Sequence, residues 1–353
     1  MRFIHLADVH LGAKPEQRYP WGAQRGHEIW DTFRQVIEQA GKQRTELLLI
    51  AGDLFHGQPL LRELKEVQYL FSTIPDTQVV LIAGNHDYLR NHSLYQKFEW
   101  GSNVHFLKGD SMKRVEFPQF HTYVYGFSYH HQQIQEEKYG DVRPGPEPGC
   151  HILLAHGGDS QHIPIRYGAL AQAGFSYVAL GHIHQPQILS QTPTRAMVYA
   201  GSLEPIEKHE EGAHGYFQGE WEEGRLKIKM ISAASRTYET LECVVDEEMG
   251  QYEAEESVRE LIERKGSQNM YRILFTGQKS MDWSLDFERF YRLGLVVDVQ
   301  DRTRNAYDFD RLETRFSGTL IGEYIHHFRG RELTEVERKA LDYGITALLE
   351  TRE

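Results

Sequence analysis

Cysteine is nearly absent from this 353-residue chain: Cys150 and Cys243 are its only two, too few for a disulfide framework or a thiolate metal cluster. No stretch approaches 18 consecutive apolar residues, which excludes a helix of membrane-spanning length. An export leader is not expected either, because Asp8 stands where such a leader needs its apolar core. These absences together favour a reducing, cytoplasmic location. Basic residues are in deficit as well: 39 Lys and Arg face 51 Asp and Glu, a formal charge of −12. Such a chain does not coat nucleic acid through charge alone, although divalent cations held in a site would offset the deficit locally. There is no internal repeat and no low-complexity linker.

What is present reads as two ordinary globular domains, with 40% hydrophobic and 25% charged residues. Apolar runs at residues 3–7, 47–51, 79–83, 123–127, 152–155 and 177–180 have the length and continuity of strands buried on both faces. Between the early runs, Ile29, Trp30, Phe33, Val36, Ile37 and Ala40 share one helical face, as do Leu61, Leu64, Val67, Leu70, Phe71 and Ile74. Alternating strands and helices predict an α/β core, with functional groups gathered beyond the carboxyl ends of the strands. An antiparallel pair is predicted over 215–221 and 224–231, then a boundary near 232–238, giving domains 1–234 and 235–353. The second domain is predicted to carry strands at 240–245, 271–276 and 295–299 and a helix at about 252–265. Two helices finish it. One has an apolar stripe of Leu320, Ile321, Tyr324, Ile325 and Phe328; the other opens with a capping box of Thr334 and Glu337.

Five short stretches, each at the end of a predicted strand, hold metal-type ligands: Asp8 and His10; Asp53 and His56; Asn85, His86 and Asp87; His156; and His182 and His184. Any one of them is ordinary turn chemistry. Five together bring carboxylate, amide and imidazole donors to neighbouring strand ends, with glycines that allow tight turns. Burying so many polar groups without a cation would leave several unpaired, at about 1–3 kcal/mol each. The mixed oxygen and nitrogen donors, with no thiolate, suit Mn(II), Fe(II) or Zn(II). The pair His182 and His184 by itself admits a shared ligand site, a surface pair or a division between two tasks.

The order Asp-x-His, Gly-Asp-x-x-His, Gly-Asn-His-Asp, His, Gly-His-x-His resembles the calcineurin-like binuclear metallophosphoesterases. Its fuller forms, Asp8-Val-His-Leu-Gly12 and Gly52-Asp-Leu-Phe-His56, resemble the DNA-repair nuclease branch that contains Mre11 and SbcD, as do the phrases at 103–106, 125–128 and 199–202. The resemblance covers residues 1–205. It implies a two-sheet β-sandwich flanked by helices, followed by a smaller α+β capping domain. It implies two divalent cations, Mn2+ first: Asp8, His10 and His184 on one, Asn85, His156 and His182 on the other, and Asp53 on both. Water activated by the two metals would attack the phosphodiester. His86 would protonate the leaving oxygen, Asp87 would orient His86, and His56 would take a transition-state or positioning role. It further implies DNA as substrate, exonuclease action in DNA repair, a coiled-coil ATPase partner of the Rad50 or SbcC kind, a homodimer, and no membrane.

Other features keep two readings. Lys14, Arg18 and Arg25, with Trp21, follow the first ligand pair and would either track a nucleic-acid strand or form a solvated loop. The stripe from Leu320 to Phe328 serves either as core or as the ATPase dock. His162 and the pair His130–His131 are either surface residues or substrate contacts. As to function, a phosphoesterase of a nucleotide or other small phosphodiester is the alternative to a nuclease. Phe55-His56-Gly57 stands where the superfamily's protein phosphatases carry Asp-Arg-Gly, which counts against that subclass.

Overall fold

In the computed structural model, which describes residues 1–280 and 283–351, the apolar runs form two six-stranded sheets. The first contains β1 (Arg2–Leu6), β2 (Leu47–Ala51), β3 (Gln78–Ile82) and β4 (Val104–Phe106), all parallel, with α1 (Arg25–Lys42), α2 (Leu61–Ser72) and the single turn α3 (Leu94–Lys97) in the connections. The second contains β5 (Lys113–Phe117), β6 (Thr122–Gly126), β7 (Cys150–His156), β8 (Tyr177–Gly181), β9 (Gln187–Gln191) and β10 (Ala196–Tyr199), with α4 (Tyr167–Ala171) between β7 and β8. Its order is β5-β6-β7-β8-β10-β9, parallel inside and antiparallel at both edges. The chain then returns to the first sheet as the antiparallel hairpin of β11 (Gly215–Glu222) and β12 (Arg225–Ser232), seated beside β1.

The continuous apolar runs follow from where these strands lie. Leu47, Leu49 and Ala51 of β2 face the second sheet, meeting Ile152, Leu154 and Ala179, while Leu48 and Ile50 face α1 and α2. Both faces are buried, so no polar alternation survives in the sequence. The outer face of the second sheet is covered by Tyr129, Tyr139, Ile163 and Leu170 instead of a long helix. Parallel registers such as Ala51 with Ile82 and His156 with Gly181 end neighbouring strands together, so the turns after them open at common edges.

The chain divides into two compact units, Met1–Tyr238 and Glu239–Glu353. The smaller is α+β. Strands β13 (Tyr238–Val245), β14 (Met270–Lys279), β15 (Leu295–Asp301) and β16 (Arg304–Asn305) form its sheet, and α5 (Gln251–Lys265) supplies Val258 and Ile262 to a core with Leu241, Ile273 and Phe275. After the turn α6 (Phe287–Phe290), three helices close a core of their own: α7 (Phe309–Arg315), α8 (Leu320–Phe328) and α9 (Glu335–Glu350). Ile321 and Ile325 of the predicted stripe are buried there against Leu341 and Ile345, whereas Leu320 is exposed. The capping box forms: Glu337 N–H donates to Thr334 Oγ1 at 3.3 Å and Thr334 N–H to Glu337 Oε2 at 2.9 Å. Among the described residues, no helix is long and apolar enough to cross a membrane.

Candidate metal centre

The turns after β1, β2, β3 and β8, and the end of β7, bring Asp8, His10, Asp53, Asn85, His156, His182 and His184 together in two clusters. In the first, His10 Nε2 lies 3.0 Å from His184 Nε2, with Asp8 within the same group. In the second, Asn85 Oδ1 lies 2.8 Å from His156 Nε2 and 3.1 Å from His182 Nδ1. Asp53 stands between them, its Oδ2 4.0 Å from His10 Nε2 and 3.4 Å from His156 Nε2. Holding these side chains inward strains the backbone: Asp8, His10, Asp53 and His182 have φ of 49°, 52°, 49° and 101°, at about 1–3 kcal/mol each. Two glycines make room. A Cβ on Gly52 would sit 2.3 Å from His156 Nδ1, and one on Gly84 2.3 Å from Asp53 Oδ1.

The polar groups of the site turn on one another. Among the described residues, no Lys or Arg ion pair reaches Asp8, Asp53 or Asp87. Burial opposes charge on His156, but Asp53 and Asp8 override it and raise the imidazole to about 9. Burial likewise opposes charge on His184, and Glu210 with Asp8 raises it to about 9. Each cluster thus holds one cationic ring. Burial raises Asp8 to about 6 against the pull of His156 and His184, whereas Asp53, despite its burial, is held low by His156 and His10.

The donor set fits two cations. Separations of 2.8–3.4 Å between donors are those of neighbouring ligands bound to one ion at about 2.0–2.2 Å. His182 gives the sharper indication. Burial lowers its ring to about 4, so it is neutral and has one proton for two acceptors, Asp159 Oδ2 at 2.7 Å and Asn85 Oδ1 at 3.1 Å. The carboxylate takes that proton, which leaves Nδ1 and Oδ1 facing each other through lone pairs. A cation between such atoms relieves the repulsion.

The remaining predicted residues divide. His86 and His56 stack at 5.2 Å beside the first cluster; His86 Nδ1 is 3.3 Å from His56 O, and His56 Nδ1 is 3.3 Å from His10 Nδ1. Asp87 is a correction. Its carboxylate, 0% exposed, accepts from Gly84 N–H at 2.7 Å and Phe55 N–H at 3.2 Å, so it ties two site loops together and does not orient the His86 ring. Burial, and then Asp53, raises it to about 7. Arg25 is a second correction: 0% exposed, it bonds Glu28, Glu204 and Pro205 O and cannot reach a substrate. Lys14 and Arg18 are exposed, but neither lines the histidine cleft; Lys14 borders a different cavity with Trp30 and Arg34, and Arg18 lies over Tyr19. That cleft, about 540 Å³, is lined by Asp53, Asn85, His86, His162, His182 and His184 among others. His162 enters it with Asp159, whose Oδ2 is 2.9 Å from His162 Nδ1. His130 bonds Lys108 O instead.

Two neighbours of the candidate ligands stood outside the sequence reading. Glu210 holds His184 Nδ1 at 2.8 Å and Asp159 holds His182 Nε2 at 2.7 Å. Both are acids in irregular segments, outside any motif; only the turn at 159–162, where Asp159 accepts from Gln161 N–H, had a local signature.

Comparison with known proteins agrees with this geometry. Residues 1–186 match the model of the calcineurin-like phosphoesterase family. The chain is 27% identical over 310 residues to the uncharacterized metallophosphoesterase YhaO of Bacillus subtilis, covering 81% of this chain and 74% of that protein. It is 27% identical over 220 residues to the DNA double-strand break repair protein Mre11 of Methanocaldococcus jannaschii, and 30% over 241 residues to that of Aeropyrum pernix. These alignments cover 60% and 59% of this chain, but only 58% and 55% of the archaeal proteins. With the family model matching more than half its length and the two donor clusters in place, the chain belongs to the calcineurin-like phosphoesterases.

Proposed function

We propose that this chain is a divalent-metal-dependent DNA nuclease, an exonuclease of DNA repair. The supporting observation is the division of seven donors into two clusters that share Asp53, in a chain similar to archaeal double-strand break repair proteins. Asp8, His10 and His184 would hold one cation, Asn85, His156 and His182 the second, and Asp53 would serve both. Mn2+ suits the mixed donors, as do Fe2+ and Zn2+. When bound, the pair lowers the pKa of a water and neutralises charge on the attacked phosphate.

The other steps belong to side chains. His86 delivers the proton to the leaving oxygen; the carbonyl of His56 holds its Nδ1–H, which leaves Nε2 for the exchange. Its backbone N–H donates to Asp53 Oδ1 at 2.8 Å, fixing the donor to the shared carboxylate. His56, stacked on His86 and meeting His10, braces the two against each other. A coiled-coil ATPase of the Rad50 or SbcC type is the proposed partner. It would dock on the terminal helices, where Leu320, Val336 and Tyr343 expose apolar surface.

One observation favours a second reading. The cleft lining includes no Lys or Arg among the described residues, and a long polyanion ordinarily meets basic groups. A small phosphodiester needs none beyond the cations. Purified protein with Mn2+ should degrade single- or double-stranded DNA as well as bis-p-nitrophenyl phosphate. Hydrolysis of the small diester alone would replace the nuclease with the second reading.

A further inference from the structure

The two histidines of Gly181-His-Ile-His184 present opposite nitrogens to the two clusters. His184 turns Nδ1 to Glu210 Oε1 at 2.8 Å and Nε2 to His10. His182 turns Nε2 to Asp159 Oδ2 at 2.7 Å and Nδ1 to Asn85. A carboxylate that takes one N–H of an imidazole fixes its tautomer and aims the other nitrogen's lone pair.

The two carboxylates are not equivalent. Glu210 is 2% exposed. Besides His184 it accepts from Glu207 N–H at 3.1 Å, Ile206 N–H at 3.2 Å and Ser202 Oγ at 2.8 Å, and Ser202 meets the buried His214 at 3.0 Å. The Asp159 side chain is 45% exposed and shared with His162. A screened, shared acceptor restrains a ring less than a buried, fully bonded one. The clusters also differ in charge, since Asp8 stands in the first where the neutral Asn85 stands in the second.

We propose that Glu210 and Asp159 are positioning residues which select the ligating nitrogens of His184 and His182, Glu210 strongly and Asp159 weakly. The cluster of Asp8, His10 and His184 is therefore preorganised and fills first, and the cluster of Asn85, His156 and His182 exchanges its ion readily. This rests on the binuclear reading above and adds residues and an order of loading to it.

The test is titration of the full-length, EDTA-stripped protein with Mn2+, free ion being followed by electron paramagnetic resonance. Wild type should take up two ions with separable affinities. Glu210→Gln and Glu210→Ala should weaken one of them by about 10–100-fold and spare the other, while Asp159→Asn should weaken only the other, by less than about tenfold. In zinc-loaded, 15N-histidine-labelled protein, the His184 Nδ1–H signal should vanish in Glu210→Ala while circular dichroism stays unchanged. Should that variant misfold, Glu210→Gln, which keeps the side chain's shape, decides. Unchanged affinities in a folded Glu210 variant, or equal losses at both sites, would overturn the proposal and leave the binuclear reading standing. Fewer than two Mn2+ bound by wild type would sink both.

Discussion

The two units of this chain bury polar groups very differently. In Met1–Tyr238, Asp8, His10, Asp53, Asp87 and His156 are all buried, whereas in Glu239–Glu353 the buried polar residues among those described are Glu255 and Asn269. Backbone strain follows the same division. Every described non-glycine residue with positive φ lies at or before Glu223, and four of the ten are site residues. Both units use the same means of folding, parallel strands and amphipathic helices around an apolar core. Among the described residues, the larger unit also holds buried carboxylates and imidazoles against one another out of water. Strain and buried charge of this kind persist where the surrounding structure over-determines them; here two sheets and several strand connections do so.

The comparison breaks most visibly at His86. His86→Asn should lower turnover by about 10²–10⁴-fold while Mn2+ binding, measured by calorimetry, stays as in wild type; wild-type turnover in metal-replete protein would remove His86 from the mechanism. Metal removal comes next. Mn2+ at about 100 times its dissociation constant should add about 2.7 kcal/mol to the stability of the larger unit, and EDTA should lower that unit's thermal transition and leave the other's in place.

The same uptake should depend on pH. At pH 7 His156 and His184, raised to about 9, carry protons that a cation must displace. Affinity therefore climbs with pH and levels off above about 9, by about tenfold per pH unit for each proton displaced. A flat profile between pH 7 and 9 would contradict those protonation states.

Gly84→Ala should cost about 1–3 kcal/mol and weaken metal uptake, because the new Cβ meets both Asp53 and His156; the paired control Gly224→Ala, at a φ of 77° with open space around it, strains the backbone but should leave uptake unchanged. The smallest effect on chemistry is expected from truncation after Asp310. Hydrolysis of bis-p-nitrophenyl phosphate should persist while co-purification with a coiled-coil ATPase is lost. Undiminished co-purification would remove the terminal helices from the proposed dock.

Much of the fold was legible because its signals are local. Runs such as residues 47–51 announce strands covered on both faces, and the spacing of Ile29, Phe33, Val36 and Ile37 announces a helix against them. The seven candidate donors were legible because each closes or follows a strand, and parallel strands in register end together. Asp87 and Arg25 were misread for a common reason. A charged residue beside a motif looks the same in sequence whether it faces solvent, substrate or the backbone, and here Asp87 receives two N–H groups and Arg25 closes on Glu204, 179 positions away.

Glu210 and Asp159 lie 26 and 23 residues from the histidines they hold. No periodicity links such positions, so chain topology alone joins them. The sequence by itself determined which donors exist and that strands deliver them, since residue type and hydrophobic period are properties of short segments. Only the tertiary structure decided which nitrogen of each histidine faces which cluster and which acids hold them there. Those are distances between segments far apart along the chain, set by how two sheets pack.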